Sequence, residues 1–266
     1  MKTNTVKHAL KAGKPQVGTW LSLASTAAAR HMARAGFDWL TLDMEHSPAN
    51  WETAADIFGA IADAGKVPLI RVPAITHENA KRALDGGAYG IVFPMCNTVE
   101  EATLAAQACK YPPFGNRSVG GGLHTLNFGT GAAEYYKKAN DEILVIVQAE
   151  HVIAVENCEA ICQVPGIDCI FVGPNDLMSS MHKTPAMESD DPQFVEALKH
   201  VRETCIKHGI APGIHVVNAE AAKRRIAEGW QFVAISSELG YMMQMASEVS
   251  SEVFGERNGA NGGARY

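Results

Sequence analysis

Eight short apolar runs recur along the chain, and they alternate with segments in which apolar residues return at helical spacing. Nearly continuous apolar character is typical of parallel strands that are covered on both faces. The runs lie at residues 17–23, 39–43, 67–71, 90–95, 143–148, 169–173, 211–215 and 232–236. Their regular alternation with helices predicts βαβ units.

Capping residues and glycines mark the helices between these runs. In one helix Asn218 is a predicted N-cap, and Gly229 lies beyond the last turn. The clearest helices are predicted over residues 50–65, 76–86, 98–110 and 218–229, with an extra one near residues 6–12 before the first strand. Eight such units in 266 residues predict a (β/α)8 TIM barrel with an additional N-terminal helix. A doubly wound sheet is the main alternative, but no GxGxxG motif follows the first strand.

Two segments depart from this alternation. Residues 111–132 are rich in glycine and too long for a simple connection, and loops of this length are often functional. Residues 258–266 predict a flexible tail. The remainder, residues 1–257, is predicted to form a single domain.

Composition and charge narrow the class of protein. Hydrophobic residues make up 47% of the chain and charged residues 20%, which allows a sizeable core. The net charge of −6 argues against nucleic acid or an anionic membrane as the main partner. No apolar run approaches the roughly 18 residues of a membrane span, and the N-terminus lacks a signal-peptide pattern. These features predict a cytoplasmic protein.

The six cysteines are too sparse for a disulfide scaffold and are predicted to stay reduced. Cys158 and Cys162 stand one helical turn apart, so they could share a soft metal. The sequence has no CxxC motif and no second cysteine pair to support that site. Ordinary buried thiols are therefore favoured.

Polar side chains gather where the predicted strands end. In a TIM barrel the reactive residues lie at these carboxyl ends, on one face of the barrel. The strand-end residues include Trp20, Asp43, Glu45, His46, Arg71, Gln148, Glu150, Asp176, His215 and Glu238. Apolar packing does not require carboxylates, histidines and an arginine at one mouth, so we expect an active site there.

Glu150 and Asp176 end neighbouring strands, so their carboxylates can approach each other. Two carboxylates with open coordination positions suit Mg²⁺ or Mn²⁺, which retain water and substrate oxygens as further ligands. The alternative is that each residue caps the helix that follows it. Spacing alone leaves a metal site and helix caps equally open.

His46 and Arg71 each allow two interpretations. His46 follows an acidic pair at a strand end, which suits a general base, although a lone histidine is often structural. Arg71 ends an otherwise apolar strand, and a buried guanidinium requires an anion. That anion is either a substrate carboxylate or enolate, or a protein carboxylate such as Glu45.

The positions of the lysines and the composition of two loops argue against a Schiff-base mechanism and against a phosphate ester as substrate. No lysine ends a strand, so a Schiff-base mechanism has no obvious nucleophile. The loops after the seventh and eighth strands lack a glycine-rich phosphate site, and Glu238 would repel a phosphate there. A carboxylate substrate is therefore favoured over a phosphate ester.

Several of these segments resemble the HpcH/HpaI family, which includes the metal-dependent class II pyruvate aldolases. The resemblance extends from about Val17 to Val253. Its motifs are Gly18-Thr-Trp-Leu-Ser-Leu, Gly36-Phe-Asp-Trp-Leu, Asp43-Met-Glu-His46, Arg71-Val-Pro, Tyr111-Pro-Pro-Phe-Gly-Asn-Arg117 and Gly173-Pro-Asn-Asp-Leu177. The resemblance implies a TIM barrel with a swapped C-terminal helix, assembled as a hexamer that is a trimer of dimers.

The resemblance also implies residue roles. Glu150 and Asp176 match the metal-binding carboxylates, for which Mg²⁺, Mn²⁺ or Co²⁺ is the expected cation. Arg71 matches the arginine that holds the 2-oxo acid. His46 matches the catalytic base, and Asp85 matches an acidic residue thought to work with that base.

Three more residues match the substrate pocket of the family. Trp20 matches a tryptophan that lines the pocket. Gly173 and Asn175 match the turn that receives the substrate carboxylate.

The expected activity is therefore a metal-dependent aldol lyase that reversibly cleaves a 4-hydroxy-2-oxo acid to pyruvate, or a close 2-oxo acid, and an aldehyde. One alternative is an acyl-CoA lyase of the citrate lyase β-subunit type, although no basic patch for CoA is evident near the mouth. Another is a non-catalytic barrel that senses a metal and an oxo acid.

Overall fold

The computed structural model describes residues 1–255, and its eight parallel strands form a closed barrel in chain order. The last strand pairs with the first, which closes the sheet. The strands are β1 Gln16–Leu21, β2 Trp39–Asp43, β3 Val67–Arg71, β4 Gly90–Phe93, β5 Leu144–Gln148, β6 Cys169–Val172, β7 Ala211–Val216 and β8 Phe232–Ser237. The predicted TIM barrel is confirmed. The predicted tail at residues 258–266 lies outside the described residues.

The helices surround this barrel, and α1 precedes the first strand as predicted. They are α1 Thr5–Lys11, α2 Thr26–Met32, α3 Trp51–Asp63, α4 His77–Asp85, α5 Val99–Cys109, α6 Leu123–Asn127, α7 Ala132–Glu142, α8 Val152–Glu156, α9 Cys158–Cys162, α10 Pro174–Ser180, α11 Pro192–His208, α12 Ala219–Ala227 and α13 Glu238–Phe254. No helix in the described part of the chain is both long and apolar enough to cross a membrane.

Side-chain caps begin the four helices that the sequence predicted most clearly. The side chains of Asn50, Thr76, Thr98 and Asn218 each accept a hydrogen bond from a backbone N–H in the first turn of the helix that follows. Such caps satisfy backbone donors that have no partner within the helix. The starts of these four helices are therefore set locally by the sequence.

The glycine-rich segment 111–132 is more ordered than its composition suggests. It contains the short helix α6, which the sequence did not predict. Arg117, only 2% exposed, bonds to Asp85 at 2.9 Å and to the hydroxyl of Tyr135 at 2.9 Å. Its guanidinium also lies 4.6 Å from the ring centre of Tyr111. A buried cation with these partners holds the segment against the outside of the barrel.

Gly18 permits the closest side-chain packing inside the barrel. It pairs with Trp39 across β1 and β2, and the fully buried Trp39 ring stacks on Phe232 at 4.1 Å between ring centres. A Cβ added at Gly18 would lie 2.1 Å from the Trp39 ring. The tryptophan fits only because this position has no side chain.

We expect Gly18→Ala to destabilise the protein by about 3 kcal/mol or more, because the stacked rings leave no room for a methyl group. Gly59→Ala is the matched control, since a Cβ there meets only Asn127 Oδ1 at 3.9 Å within helix α3. That change should stabilise the helix by roughly 0.5–1 kcal/mol. Chemical denaturation of both variants measures the two effects. Equal stability of Gly18→Ala and wild type would contradict this packing.

Candidate active site

A cavity of about 520 Å³ opens at the carboxyl ends of the strands. Residues from separate strands converge on it because all strands of the barrel point the same way. Its lining includes Trp20, Asp43, His46, Arg71, Gln148, Glu150, Phe171, Gly173, Asn175, Asp176, His215 and Ser237. The structure thus brings together every site residue predicted from the sequence except Asp85.

A second cavity, of about 780 Å³, lies at the opposite end of the barrel. Lys7 and Lys110 contribute to its wall, but their ammonium groups are bonded to the backbone carbonyl of Ile143, and Lys7 also pairs with Asp168 at 2.8 Å. These lysines stabilise the base of the barrel. The chemistry-bearing residues lie at the other mouth, as TIM barrels generally place them.

Arg71 is held by two carboxylates at the centre of the mouth. Its strand β3 pairs with β2 so that Arg71 lies beside Asp43. Its Nε and Nη2 donate to the two oxygens of Asp43 at 2.9 and 2.7 Å, and its Nη1 lies 3.1 Å from Glu45 Oε2. The guanidinium carbon lies 4.7 Å from the Trp20 ring centre. Protein carboxylates therefore do bind Arg71, as one of the two sequence interpretations allowed.

This arrangement still leaves the guanidinium able to bind a ligand. An arginine carries five N–H donors, and these contacts use three of them. Among the described residues, no further hydrogen bond occupies the remaining two. Asp43 and the face of the Trp20 ring fix the orientation of the guanidinium. It can therefore present its two remaining donors to a substrate oxygen in a set orientation.

His46 lies at the rim of the cavity, with its side chain 54% exposed. Its Nε2 is 3.7 Å from Glu45 Oε2, so the same carboxylate faces both Arg71 and His46. Burial raises the pKa of Glu45 above its ordinary value, although Arg71 and His46 oppose the shift. The turn is fixed by Asp43 Oδ1, which accepts from the backbone N–H of Glu45 at 3.0 Å.

Glu150 is buried at the floor of the cavity, with 2% of its surface exposed. Its Oε1 accepts from the backbone N–H of Met95 at 2.7 Å, and its Oε2 accepts from Gln148 Nε2 at 2.8 Å. Met95 adopts a φ of 50°, a conformation that non-glycine residues rarely take outside functional sites. A Cβ added at Gly173 would lie 2.5 Å from Glu150 Oε2. The unusual backbone conformation of Met95 thus accompanies its hydrogen bond to Glu150, and the absence of a side chain at Gly173 leaves room for the carboxylate.

The contacts of Glu150 do not support a helix cap. His151 is the N-cap of α8, and its Nδ1 accepts from the Ile153 N–H at 3.2 Å. The N-cap of α10 is Gly173, and Asp176 lies in the first turn of that helix. The capping interpretation therefore fails for Glu150, while Asp176 lies where a helix dipole favours a negative charge.

The residues present fit a hard divalent cation. Burial is the main cause that raises the pKa of Glu150 to about 7; Asp176 and Glu45 contribute to this rise, and the Met95 N–H and Arg71 oppose it. A buried carboxylate with raised pKa is one that lacks sufficient positive charge nearby. The buried Gln148 Oε1 also has no hydrogen-bond partner among the described residues. Oxygen donors of this kind are the ligands that Mg²⁺ and Mn²⁺ prefer.

Asp85 lies apart from the residues that line the cavity. It ends helix α4, and its Oδ1 accepts from Arg117 at 2.9 Å. The described structure therefore uses Asp85 to hold segment 111–132. A role with His46 stays a prediction from the family resemblance.

His215 is a cavity residue to which the sequence assigned no role. Its Nε2 lies 3.3 Å from the carbonyl oxygen of Ser236, and its ring centre lies 5.9 Å from that of Trp20. Burial is the main cause that lowers the pKa of His215 to about 4, and the positive charge of Arg71 contributes to the same shift. The ring is therefore neutral near pH 7. Its strand-end position was the available signal, but the sequence could not show the burial that keeps it uncharged.

Glu238 holds the loop after β1. Its carboxylate accepts from the backbone N–H groups of Ser22 and Leu23 at distances of 2.7 to 2.9 Å, and it is only 6% exposed. This charge therefore fixes the chain next to Trp20. Glu238 therefore has a structural role in addition to the repulsion of phosphate that its charge predicts.

The fold and the carboxylate-rich mouth together define a (β/α)8-barrel enzyme. Residues 16–244 match the sequence profile of the HpcH/HpaI aldolase/citrate lyase family, so the chain belongs to that family. This agrees with the resemblance found in the sequence.

Individual relatives cover nearly the whole chain. A 4-hydroxy-2-oxo-heptane-1,7-dioate aldolase of Escherichia coli is 37% identical over 250 residues, which are 93% of this chain and 94% of the relative. A hydroxypyruvate/pyruvate aldolase of Paraburkholderia phytofirmans is 35% identical over 257 residues, covering 94% and 98% of the two chains. The crystal structure of a Burkholderia cenocepacia family member superposes with a TM-score of 0.88 at 34% identity, covering 94% and 99%. The chain is a lyase of the aldolase type.

The pKa of His215 predicts how stability depends on pH. Its folded-state pKa of about 4 lies below the ordinary value of 6.5, so the unfolded chain binds the extra proton first as pH falls. Stability from this group is therefore complete above pH 6.5 and is lost between about 6.5 and 4, by roughly 1.4 kcal/mol per pH unit. We expect His215→Gln to lose less stability than wild type between pH 6.5 and pH 5, measured by urea denaturation.

The exposed His31 provides the control for this measurement. His31→Gln should keep the wild-type pH dependence, because an exposed ring is not desolvated by folding. An identical pH dependence in His215→Gln and wild type would show that the buried ring does not control this part of the stability.

Proposed function

We propose that this chain is a class II aldolase that reversibly cleaves a 4-hydroxy-2-oxo acid to pyruvate, or a close 2-oxo acid, and an aldehyde. The observation that carries the proposal is the meeting of Glu150, Asp176 and Arg71 in one cavity. Two carboxylates suit a divalent cation, and the arginine suits the carboxylate or enolate of an oxo acid. The names of the aldolase relatives support the same substrate class.

Glu150 and Asp176 are the proposed ligands of a divalent cation, with Mg²⁺, Mn²⁺ or Co²⁺ as the candidates. When bound, such a cation supplies Lewis-acid stabilisation of the negative charge that develops on the keto oxygen of the substrate. The hydrogen bonds from Met95 and Gln148 hold the Glu150 carboxylate in one orientation. The protein therefore supplies a fixed set of oxygen donors.

No lysine is found among the described residues that line the cavity. An aldolase that works through a Schiff base needs a lysine amine at the reacting carbonyl. Stabilisation of the enolate is therefore assigned to the divalent cation and to a cationic side chain of the mouth. Arg71 is the protein cation positioned for that role, beside Trp20 and within the same cavity.

His46 is the proposed general base. In the cleavage direction it removes the proton of the C4 hydroxyl, and in the synthetic direction it returns the proton. Its exposed position at the rim suits a group that meets the aldehyde half of the substrate, while Glu45 orients the ring. Asp85 is proposed to assist His46, as the family resemblance implies.

Three further residues are proposed to bind the oxo acid. Trp20 forms one wall of the cavity and packs against Phe171 with ring centres 5.8 Å apart. Gly173 is the N-cap of α10 and lies next to Glu150, and Asn175 lies in the first turn of that helix. The missing side chain at Gly173 leaves room for the Glu150 carboxylate, and the start of α10 beside it is proposed to receive the substrate carboxylate.

A hexamer built as a trimer of dimers, with α13 swapped between subunits, is the proposed assembly. Helix α13 exposes apolar side chains that would gain from being covered: Met242 is 50% exposed, Met245 59% and Val249 53%. Their exposure in the single chain supports a partner subunit. A cytoplasmic location is proposed from the sequence alone.

Removing the proposed metal ligands should abolish metal binding and leave the barrel folded. We expect Glu150→Gln and Asp176→Asn each to weaken binding of Mn²⁺ at least about 100-fold, because each removes one of two charged ligands. Isothermal titration calorimetry measures the affinity, and thermal unfolding checks the fold. Catalysis should stop in excess chelator and return with the divalent ion.

Glu100→Gln serves as the control, since Glu100 lies exposed in the first turn of α5. It should bind Mn²⁺ as wild type does. Full activity in excess chelator, or trapping of pyruvate on a lysine by borohydride, would refute the metal-dependent proposal.

Substitution of Arg71 should weaken substrate binding, whereas substitution of His46 should slow the cleavage step. Arg71→Ala would leave Asp43 and Glu45 unpaired in a buried mouth, which costs about 3–5 kcal/mol, so Arg71→Lys is the informative change. The lysine keeps the positive charge but lacks the planar guanidinium with its paired donors. We therefore expect at least about tenfold weaker pyruvate binding. His46→Ala should keep pyruvate affinity but slow cleavage by about 10²–10⁴-fold.

Pyruvate binding and single-turnover cleavage distinguish these outcomes. His31→Ala is the control for loss of an exposed histidine and should match wild type in both. Near wild-type cleavage by His46→Ala would remove His46 from the mechanism and direct attention to Glu45 and Asp85.

A further inference from the structure

Three cysteine sulfurs meet on the outside of the barrel, away from the cavity. Cys158 and Cys162 are the first and last residues of α9, and Cys205 lies near the end of α11. Their Sγ atoms all lie within 4.8 Å of one another. The side chains are buried, with 0%, 5% and 0% of their surfaces exposed. All three are free thiols.

The packing of two helices creates this cluster. Cys158 and Cys162 are four residues apart, which places them on the same face of α9. That face packs against α11, where Cys205 follows the buried Val201 by one turn. The sequence favoured ordinary thiols because it has no CxxC motif and no second cysteine pair. The fold supplies the third sulfur from a distant helix.

The spacing of the sulfurs is close to that of a thiolate metal site. Zinc binds thiolates at about 2.3 Å in tetrahedral geometry, which places the sulfurs about 3.8 Å apart. Three sulfurs within 4.8 Å reach that spacing by small side-chain rotations. Soft sulfur ligands select zinc over the hard cations that suit the carboxylates of the active site.

A histidine and its carboxylate partner lie beside the cluster in sequence, outside the group of ligand atoms within 4.8 Å of one another. His208 follows Cys205 by three residues on α11, and its side chain is 20% exposed. Its Nε2 lies 2.7 Å from Glu159 Oε1, and Glu159 directly follows Cys158. Lys207 Nζ pairs with the same oxygen at 2.7 Å. A carboxylate that binds one ring nitrogen and so leaves the other to a metal is a common feature of zinc–histidine sites.

We propose that Cys158, Cys162 and Cys205 form a structural zinc site, with His208 as the fourth ligand. Each thiol that binds the ion releases its proton to solvent, so binding joins α9 to α11 without any redox change. The site is independent of the aldolase reaction, because its ligands lie on the outer helices and share none with the carboxylates of the mouth.

The test uses the reduced, metal-free full-length protein and Cd²⁺ as the probe. Cadmium–thiolate bonds absorb in the near ultraviolet, and oxygen ligands such as Glu150 and Asp176 give no such band. We expect a thiolate band that saturates at one Cd²⁺ per chain, is displaced by Zn²⁺, and persists in the Glu150→Gln variant. The thermal midpoint should rise when Zn²⁺ is added.

One cysteine variant and one histidine variant identify the ligands. Cys162→Ala should lower Cd²⁺ affinity at least about 100-fold and remove the thermal shift, whereas His208→Gln should lower affinity about 10-fold or more. Cys109→Ala is the matched control, because Cys109 is an equally buried thiol at the end of α5 and lies outside the cluster. It should keep both the band and the shift.

Several outcomes would overturn the site. One is the absence of a thiolate band in wild type, both when Cd²⁺ is added to the native protein and when the protein refolds with it. Another is a wild-type band in Cys162→Ala. Should Cys162→Ala fail to fold, the wild-type titration and the Cys205→Ser variant decide the question in the same way.

Discussion

The bidentate pair between Arg71 and Asp43 is the interaction on which the mouth of this barrel depends. It joins the ends of β2 and β3, at 2.9 and 2.7 Å, where a buried cation and a buried anion would each be costly alone. Trp20 packs on the exposed face of the guanidinium, and Glu45 extends the pair toward His46. The positions of Trp20, Glu45 and His46 at the mouth therefore depend on the ion pair between Arg71 and Asp43.

Around that pair the mouth carries more negative than positive charge. Asp43, Glu45, Glu150 and Asp176 face a single arginine, and the burial of Glu150 and Glu45 raises the pKa of both carboxyl groups. His215 stays neutral near pH 7 and cannot balance the excess. A divalent cation would remove this imbalance, and an oxo acid would then bind between two positive centres.

Much of the barrel was predictable because its strands are covered on both faces and its helices begin at side-chain caps, which are local signals. The meeting of Glu150 and Asp176 also followed from strand order. Other features depend on register or on contacts between distant helices. The bonding of Asp43 to Arg71, the Met95 N–H at Glu150, the pairing of Asp85 with Arg117, and the approach of Cys205 to Cys158 are of this kind. No local pattern encodes them.

The bonds from Glu238 to the backbone of Ser22 and Leu23 join the end of the barrel to its beginning. Strand β1 pairs with β2 after a short connection, but its other partner, β8, lies more than 200 residues further along the chain. The part of the cavity wall that Trp20 forms is therefore complete only after β8 has been added to the sheet. A chain that lacked β8 would contain most of the described helices but would leave one edge of β1 unpaired, so its catalytic mouth would be unfinished.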